Sequence, residues 1–130
     1  RAVEVDPGRF AQLRALASVD RRVQPFHANF LQTVPTQAYS HTIMNPPFYG
    51  THYMQHIMHA WDFLKPGGML VSVLPATAET GDSEAHEVFR GWLEERKYGY
   101  GHVFQDLPQE AFAESGTRVN TLYVVLRKRG

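Results

Sequence analysis

The hydrophobic positions fall into patches whose period switches between that of a strand and that of a helix. Ala2-Val3-Glu4-Val5-Asp6 alternates apolar residues with an acid, which predicts a strand already in progress at the first residue. Asp6 suits a helix N-cap and Pro7 the first helical position, where its missing N–H costs nothing. Phe10, Leu13, Leu16 and Ala17 then recur at helical spacing, predicting an amphipathic helix from about Pro7 to Ala17. Strand, acid and helix make half of a βαβ unit. Arg22 to Leu31 reads as a short second strand running into a loop, with Phe26, Phe30 and Leu31 as its apolar members. The run Thr42-Ile43-Met44 predicts a buried strand that stops at Asn45-Pro46-Pro47-Phe48.

The second half continues the alternation. Tyr53 to Leu64 reads as a helix with Ile57, Ala60, Trp61 and Leu64 at core spacing, and Lys65-Pro66-Gly67-Gly68 is expected to end it. Met69 to Leu74 is almost continuously apolar, the pattern of a strand covered by helices on both faces. Thr77 to Asp82 reads as a polar loop suited to a lid or a substrate contact. A helix is expected from Ser83 to Arg96, with Ser83 as N-cap and Val88, Phe89, Trp92 and Leu93 on the buried face. The glycines and tyrosines of Tyr98 to Gly101 predict a turn. His102-Val103-Phe104 and Val119 to Leu126 predict two strands, joined by a loop that contains Phe112 to Thr117.

Composition narrows the chemistry. At 130 residues the chain is long enough for one domain with its own core. Thirteen basic side chains balance thirteen acidic ones, so no strongly basic nucleic-acid footprint is present, although Arg127-Lys128-Arg129 form a local cluster. The absence of cysteine excludes disulfides, thiolate zinc sites and cysteine nucleophiles. No apolar run approaches the roughly 20 residues of a membrane span and no signal peptide is visible, so the default expectation is a cytoplasmic protein without membrane contact.

The stiffest stretch is Asn45-Pro46-Pro47-Phe48. Each residue before a proline is biased away from helix, and both proline φ angles are fixed. An extended tetrapeptide results, holding an amide, a carbonyl and an aromatic ring in a set arrangement, which suits gripping a planar polar group. As four residues alone, the same stretch also reads as an ordinary loop turn.

In context the tetrapeptide resembles the catalytic motif of the class I S-adenosylmethionine-dependent methyltransferases, in the branch that methylates amines. The resemblance implies a Rossmann-like α/β fold of three layers, with a mostly parallel sheet and an antiparallel strand in its C-terminal hairpin. It also implies a target NH2 group, first of all N6 of adenine in DNA. Asn45 Oδ1 and the Pro46 carbonyl would each accept one N–H, and Pro47 would hold the turn rigid. Phe48 would stack on a base swung out of its duplex, with Tyr49 and Phe112 as further substrate contacts.

For the cofactor, S-adenosylmethionine, the Val-Glu-Val-Asp-Pro stretch matches the family strand whose acid accepts the ribose hydroxyls. That acid is Glu4, and Val5 would lie against the adenine. Asn29-Phe30 stands where the family usually has Asp-Phe or Asp-Leu; Asn29 keeps a carbonyl acceptor for the adenine amine but not the charge, and Phe30 would pack on the ring or belong to the core. Leu64 to Val71 resembles the family's passage from its fourth helix to its fifth strand, and Glu114 to Thr121 its loop over the target base. The family's first strand and glycine-rich turn do not precede Glu4, so a fragment is expected, with two sheet halves that lack their shared neighbour, and with a missing N-terminal segment or a companion subunit completing it.

His52, His56 and His59, extended by Asp62, share a helical stripe that could chelate a metal, but such a stripe is more often a solvated face, and direct methyl transfer needs no metal. No metal is expected. RNA guanine N2 and a protein glutamine amide are alternative targets of the same chemistry, and a non-catalytic partner module is the alternative of another class.

Overall fold

A computed structural model describes residues 1–107 and 121–130; Phe112 and the stretch from Glu114 to Asn120, expected to form the loop over the target base, lie outside them. The chain divides into two compact units, Arg1–Val34 and Pro35–Gly130.

The first unit contains strand β1 (Ala2–Glu4), helix α1 (Pro7–Val19) and strand β2 (Pro25–His27), followed by a single 3-10 turn over Phe30–Gln32. β1 and β2 pair in parallel, with Glu4 opposite His27. Helix α1 begins where expected, because Asp6 accepts the Arg9 N–H at 2.8 Å and Pro7 follows it. Its apolar face is thinner than the spacing suggested. No residue of α1 is buried; Leu16 is half-exposed and Val19 largely exposed.

The second unit carries strand β3 (Tyr39–Met44), helix α2 (His52–Trp61), strand β4 (Leu64–Pro75), a short helix α3 (Thr77–Thr80), helix α4 (Glu84–Arg96) and strands β5 (Gln105–Asp106) and β6 (Thr121–Arg127). Its sheet has the order β3-β4-β6-β5. β3 pairs with β4 in parallel, and β6 runs antiparallel to both β4 and β5, so β6 is the reversed member of a sheet whose other strands share one direction. Among the described residues the strands thus form two sheets, one of two strands and one of four.

The core lies in the second unit: Tyr53, Ile57 and Ala60 of α2 and Phe89 and Leu93 of α4 are buried together with Leu70 and Leu74 of β4 and Val124 and Leu126 of β6. Several expectations need correction. β4 is not covered on both faces: Leu70, Ser72 and Leu74 are fully buried, whereas Met69, Val71 and Val73 on the opposite face are only half-buried. Strand β3 is an edge, which leaves Ile43 85% exposed instead of buried. Thr77–Thr80 forms a helical turn with Ala78 buried, not a polar loop. Val88 faces solvent, and the strand expected at His102 to Phe104 begins only at Gln105.

Lys65-Pro66-Gly67-Gly68 does not terminate the helix, which ends at Trp61, but sits as a bulge inside β4. Tyr39 pairs with Leu64 and His41 with Met69, so two steps along β3 span five along β4. Gly67 takes φ +84°, which strains any larger residue, and a Cβ at Gly68 would come within 2.9 Å of the Lys65 carbonyl and 3.1 Å of that of Ser40, so a larger residue there requires displacement.

Candidate functional site

In the first unit the candidate residues gather at the carboxyl ends of two parallel strands, the side from which α/β sheets bind ligands. Glu4 closes β1. Its Oε2 accepts the Val5 N–H at 3.0 Å and its Oε1 pairs with the exposed Arg9 guanidinium, whose pKa the carboxylate pushes up. A carboxylate has about four lone-pair sites, so Glu4 retains acceptors after these two contacts. Val5 is exposed, as a residue offered to a ligand would be. Asn29 is exposed just beyond β2, and its Oδ1 accepts the Leu31 N–H at 3.1 Å, capping the 3-10 turn that begins with Phe30. One lone pair of the amide oxygen that the resemblance assigns to an adenine amine is therefore already used locally.

His27 was not singled out by the sequence pattern. It sits opposite Glu4 in the β ladder, stacks on Phe10 with ring centroids 4.8 Å apart, and places Nε2 3.0 Å from the Val5 carbonyl. A carbonyl can only accept, so Nε2 carries the proton in this contact. His27 thereby fixes the backbone that leaves Glu4. The only hint in the sequence was its place at the end of a short apolar run. Together these groups fit the adenosine half of a nucleotide-like cofactor: a carboxylate for hydroxyls, an exposed apolar side chain for a ring face and an amide for a ring edge.

In the second unit the stiff tetrapeptide leaves the carboxyl end of β3 directly after Met44, which pairs with Ser72. Asn45 is exposed, Pro46 is buried, and Pro47 and Phe48 are half-buried. The prolines thus anchor the turn while the amide stays open to a ligand. Tyr49 is 68% exposed and its ring lies 4.6 Å from that of His52. Gly50, at φ +57°, then turns the chain into α2. The far side of the turn is tied down by Tyr53 and Met54, both buried in the first turn of α2, with Tyr53 edge-on to Phe89 at 5.9 Å.

The histidine stripe behaves as a helix face. Among the described residues no group of His, Asp, Glu or Cys is arranged to hold a metal ion. His59 packs edge-on against Phe63 at 5.3 Å. Burial, and then the neighbouring His52 and His59, hold the His56 pKa below the usual imidazole value. Tyr53 carries a fully buried hydroxyl whose pKa burial pushes up; Thr77 and Arg90 oppose that shift, yet no hydrogen bond of normal geometry reaches the oxygen. Among the described residues no helix is long and apolar enough to cross a membrane.

No protein-family model and no curated protein sequence matches the chain. Solved structures do. A Listeria monocytogenes protein taken to be a class I S-adenosylmethionine-dependent methyltransferase superposes with a TM-score of 0.72 at 17% identity, over 98% of this chain and 44% of its own. The M protein of the type I restriction enzyme EcoKI gives 0.69 at 18% identity, over 97% of this chain and 30% of its own. The N-methyltransferase NodS from Bradyrhizobium japonicum, solved with S-adenosyl-L-homocysteine, gives 0.57 at 15% identity, over 98% of this chain and 65% of its own. The chain therefore spans less than half the length of the first two. The fold is that of the class I methyltransferases.

Proposed function

We propose that the chain is part of one catalytic domain that transfers a methyl group from S-adenosylmethionine to an exocyclic amine, N6 of adenine in DNA, in the cytoplasm. The observation that carries this reading is the exposed Asn45 on a diproline turn with a buried anchor at Pro46, set at the carboxyl end of β3 in a methyltransferase fold. One distant neighbour, the EcoKI M protein, supports the DNA substrate.

An aromatic amine is a weak nucleophile because its lone pair is delocalised into the ring. Asn45 Oδ1 and the Pro46 carbonyl, each accepting one N–H, localise that pair on nitrogen and orient it. The bound cofactor supplies the electrophilic methyl group. Glu4, Val5, Asn29 and Phe30 hold its adenosine half, and Phe48 with Tyr49 stacks on the flipped base. No covalent intermediate with the protein is required.

The test is methyl incorporation by the full-length protein from labelled S-adenosylmethionine into DNA, RNA and protein. Label in adenine of DNA is the expected result. Label confined to protein, or to guanine of RNA, overturns the substrate, and absence of cofactor binding in calorimetry overturns the enzyme in favour of a non-catalytic partner module. Asn45→Ala should lower turnover by about 10²-fold or more while leaving cofactor affinity intact. Full turnover in that variant would remove Asn45 from the mechanism.

A further inference from the structure

A cationic groove lies in the second unit at the opposite end of the sheet from the diproline turn. It is open, encloses about 310 Å3, and is lined by Trp61, Glu95, Arg96, Arg127, Lys128 and Arg129. Four cations thus meet one carboxylate in a chain whose formal net charge is zero. The groove is a local excess of positive charge in a neutral chain, three of its four cations being the consecutive Arg127, Lys128 and Arg129.

Two of the cations, Arg96 and Lys128, are held mainly by ring faces and carbonyls. The Arg96 guanidinium lies 4.3 Å from the ring centre of Trp92 and 5.6 Å from that of Trp61, and Lys128 Nζ lies 5.7 Å from Trp61. The two indoles are themselves packed edge to face at 5.8 Å. Lys128 also donates to the Leu64 carbonyl at 3.0 Å and to that of Trp61 at 3.4 Å, neutral acceptors at the start of β4 and the end of α2. Ring faces and carbonyls hold a cation in place but leave its net charge available to a ligand. The acid, Glu95, is 78% exposed and only 3.4 Å from Arg96, a contact that contributes little. Arg127 and Arg129 are exposed.

We infer that this groove binds the phosphate backbone of a nucleic acid, as a docking site separate from the base-binding turn. The inference rests on the reading that nucleic acid is the substrate. A cluster of four cations suits a line of phosphates, and the indoles beside it are covered by Arg96 and Lys128, not free to insert into lipid. Asn45 follows Met44, the partner of Ser72, while Arg127 pairs with Met69 two strands away. At roughly 3.4 Å per residue and 4.8 Å per strand this puts the groove about 17 Å from the turn, a span of several phosphates that one nucleic acid could bridge.

The test is fluorescence anisotropy of a labelled DNA duplex of about 30 base pairs with the full chain, over roughly 50 to 200 mM salt. Arg127→Gln/Arg129→Gln removes two exposed charges and leaves Lys128, which caps α2, in place, so thermal melting should not move. The expected result is a fall in affinity of about tenfold or more at the lowest salt, with the slope of log K against log salt shallower by about 2. Glu95→Gln should tighten binding, an effect that no structural role of the groove would produce. Equal affinity and slope in the double variant overturn the inference. So does a wild-type chain that ignores DNA but sediments with phosphatidylserine vesicles. If the variants change DNA binding as stated yet the full-length protein methylates no nucleic acid, the groove stands and the proposed substrate falls.

Discussion

The two units place candidate chemistry on different kinds of support. In Pro35–Gly130 the diproline turn is braced by fully buried side chains, with Tyr53, Leu70 and Phe89 among them. In Arg1–Val34 no side chain is fully buried; Glu4, Val5 and Asn29 stand on a two-stranded parallel ladder held by a capping carboxylate, an exposed ion pair and one stacked histidine. Parallel pairs are stable mainly when both faces are covered, and this ladder is short and half-exposed. The proposed acceptor turn thus draws on core packing, whereas the groups proposed for the cofactor draw on local polar contacts.

The sharpest way to break this contrast is by truncating one leucine in each unit. Leu70→Ala empties a fully buried site and should cost about 2–5 kcal/mol, while Leu16→Ala, at a half-exposed helix position, should cost well under about 1 kcal/mol. Urea denaturation of both variants decides it, and equal costs would show that the first unit shares the buried core.

Removing the cap is the next largest effect. Asp6→Ala deletes the acceptor of the Arg9 N–H and should cost about 1 kcal/mol, seen as lost protection of the α1 amides in hydrogen exchange with β4 unaffected. Loss of protection in both units would mean that they unfold together.

Tyr53→Phe tests the brace itself. Because the buried hydroxyl has no well-formed hydrogen bond, its removal should leave stability unchanged or raise it by up to about 1 kcal/mol. A loss larger than that in thermal melting would show that the hydroxyl is satisfied in solution, through Thr77.

The smallest effect is protonic. His56 has a depressed pKa when folded, so between its folded and its unfolded value the unfolded chain binds more protons. Its contribution is fully present above about pH 6.5 and declines as the pH falls below that, toward the folded value. His56→Gln should flatten the stability of the second unit across that window, and an unchanged pH profile would assign the acid sensitivity elsewhere.

Much of this could be read along the chain because the signals are local. Proline fixes its own φ, so the rigidity of Asn45-Pro46-Pro47-Phe48 required no knowledge of its surroundings. Asp6 before Pro7 and Ser83 before Glu84 announced two helix starts, and both side chains do accept a backbone N–H there. The continuous apolar run from Met69 to Leu74 announced a strand and overstated its cover, because a run of apolar residues cannot say how many faces find a partner. The same limit applies to Ile43, which is apolar enough for a core but lies on an edge. Lys65 to Gly68 carried the composition of a helix stop, and only pairing with β3 and contact with Lys128 made it a bulge.

What sequence alone determined, then, were the quantities set within a few residues: strand and helix periods, caps, and a turn stiff enough to present an amide. Tertiary structure decided what depends on distant neighbours. It set His27 opposite Glu4, left the Asn45 amide open above a buried Pro46, and collected Trp61, Arg96 and Lys128 into one groove. Periodicity and propensity act along the chain, but burial and electrostatic potential are sums over groups that folding brings together from far apart in it.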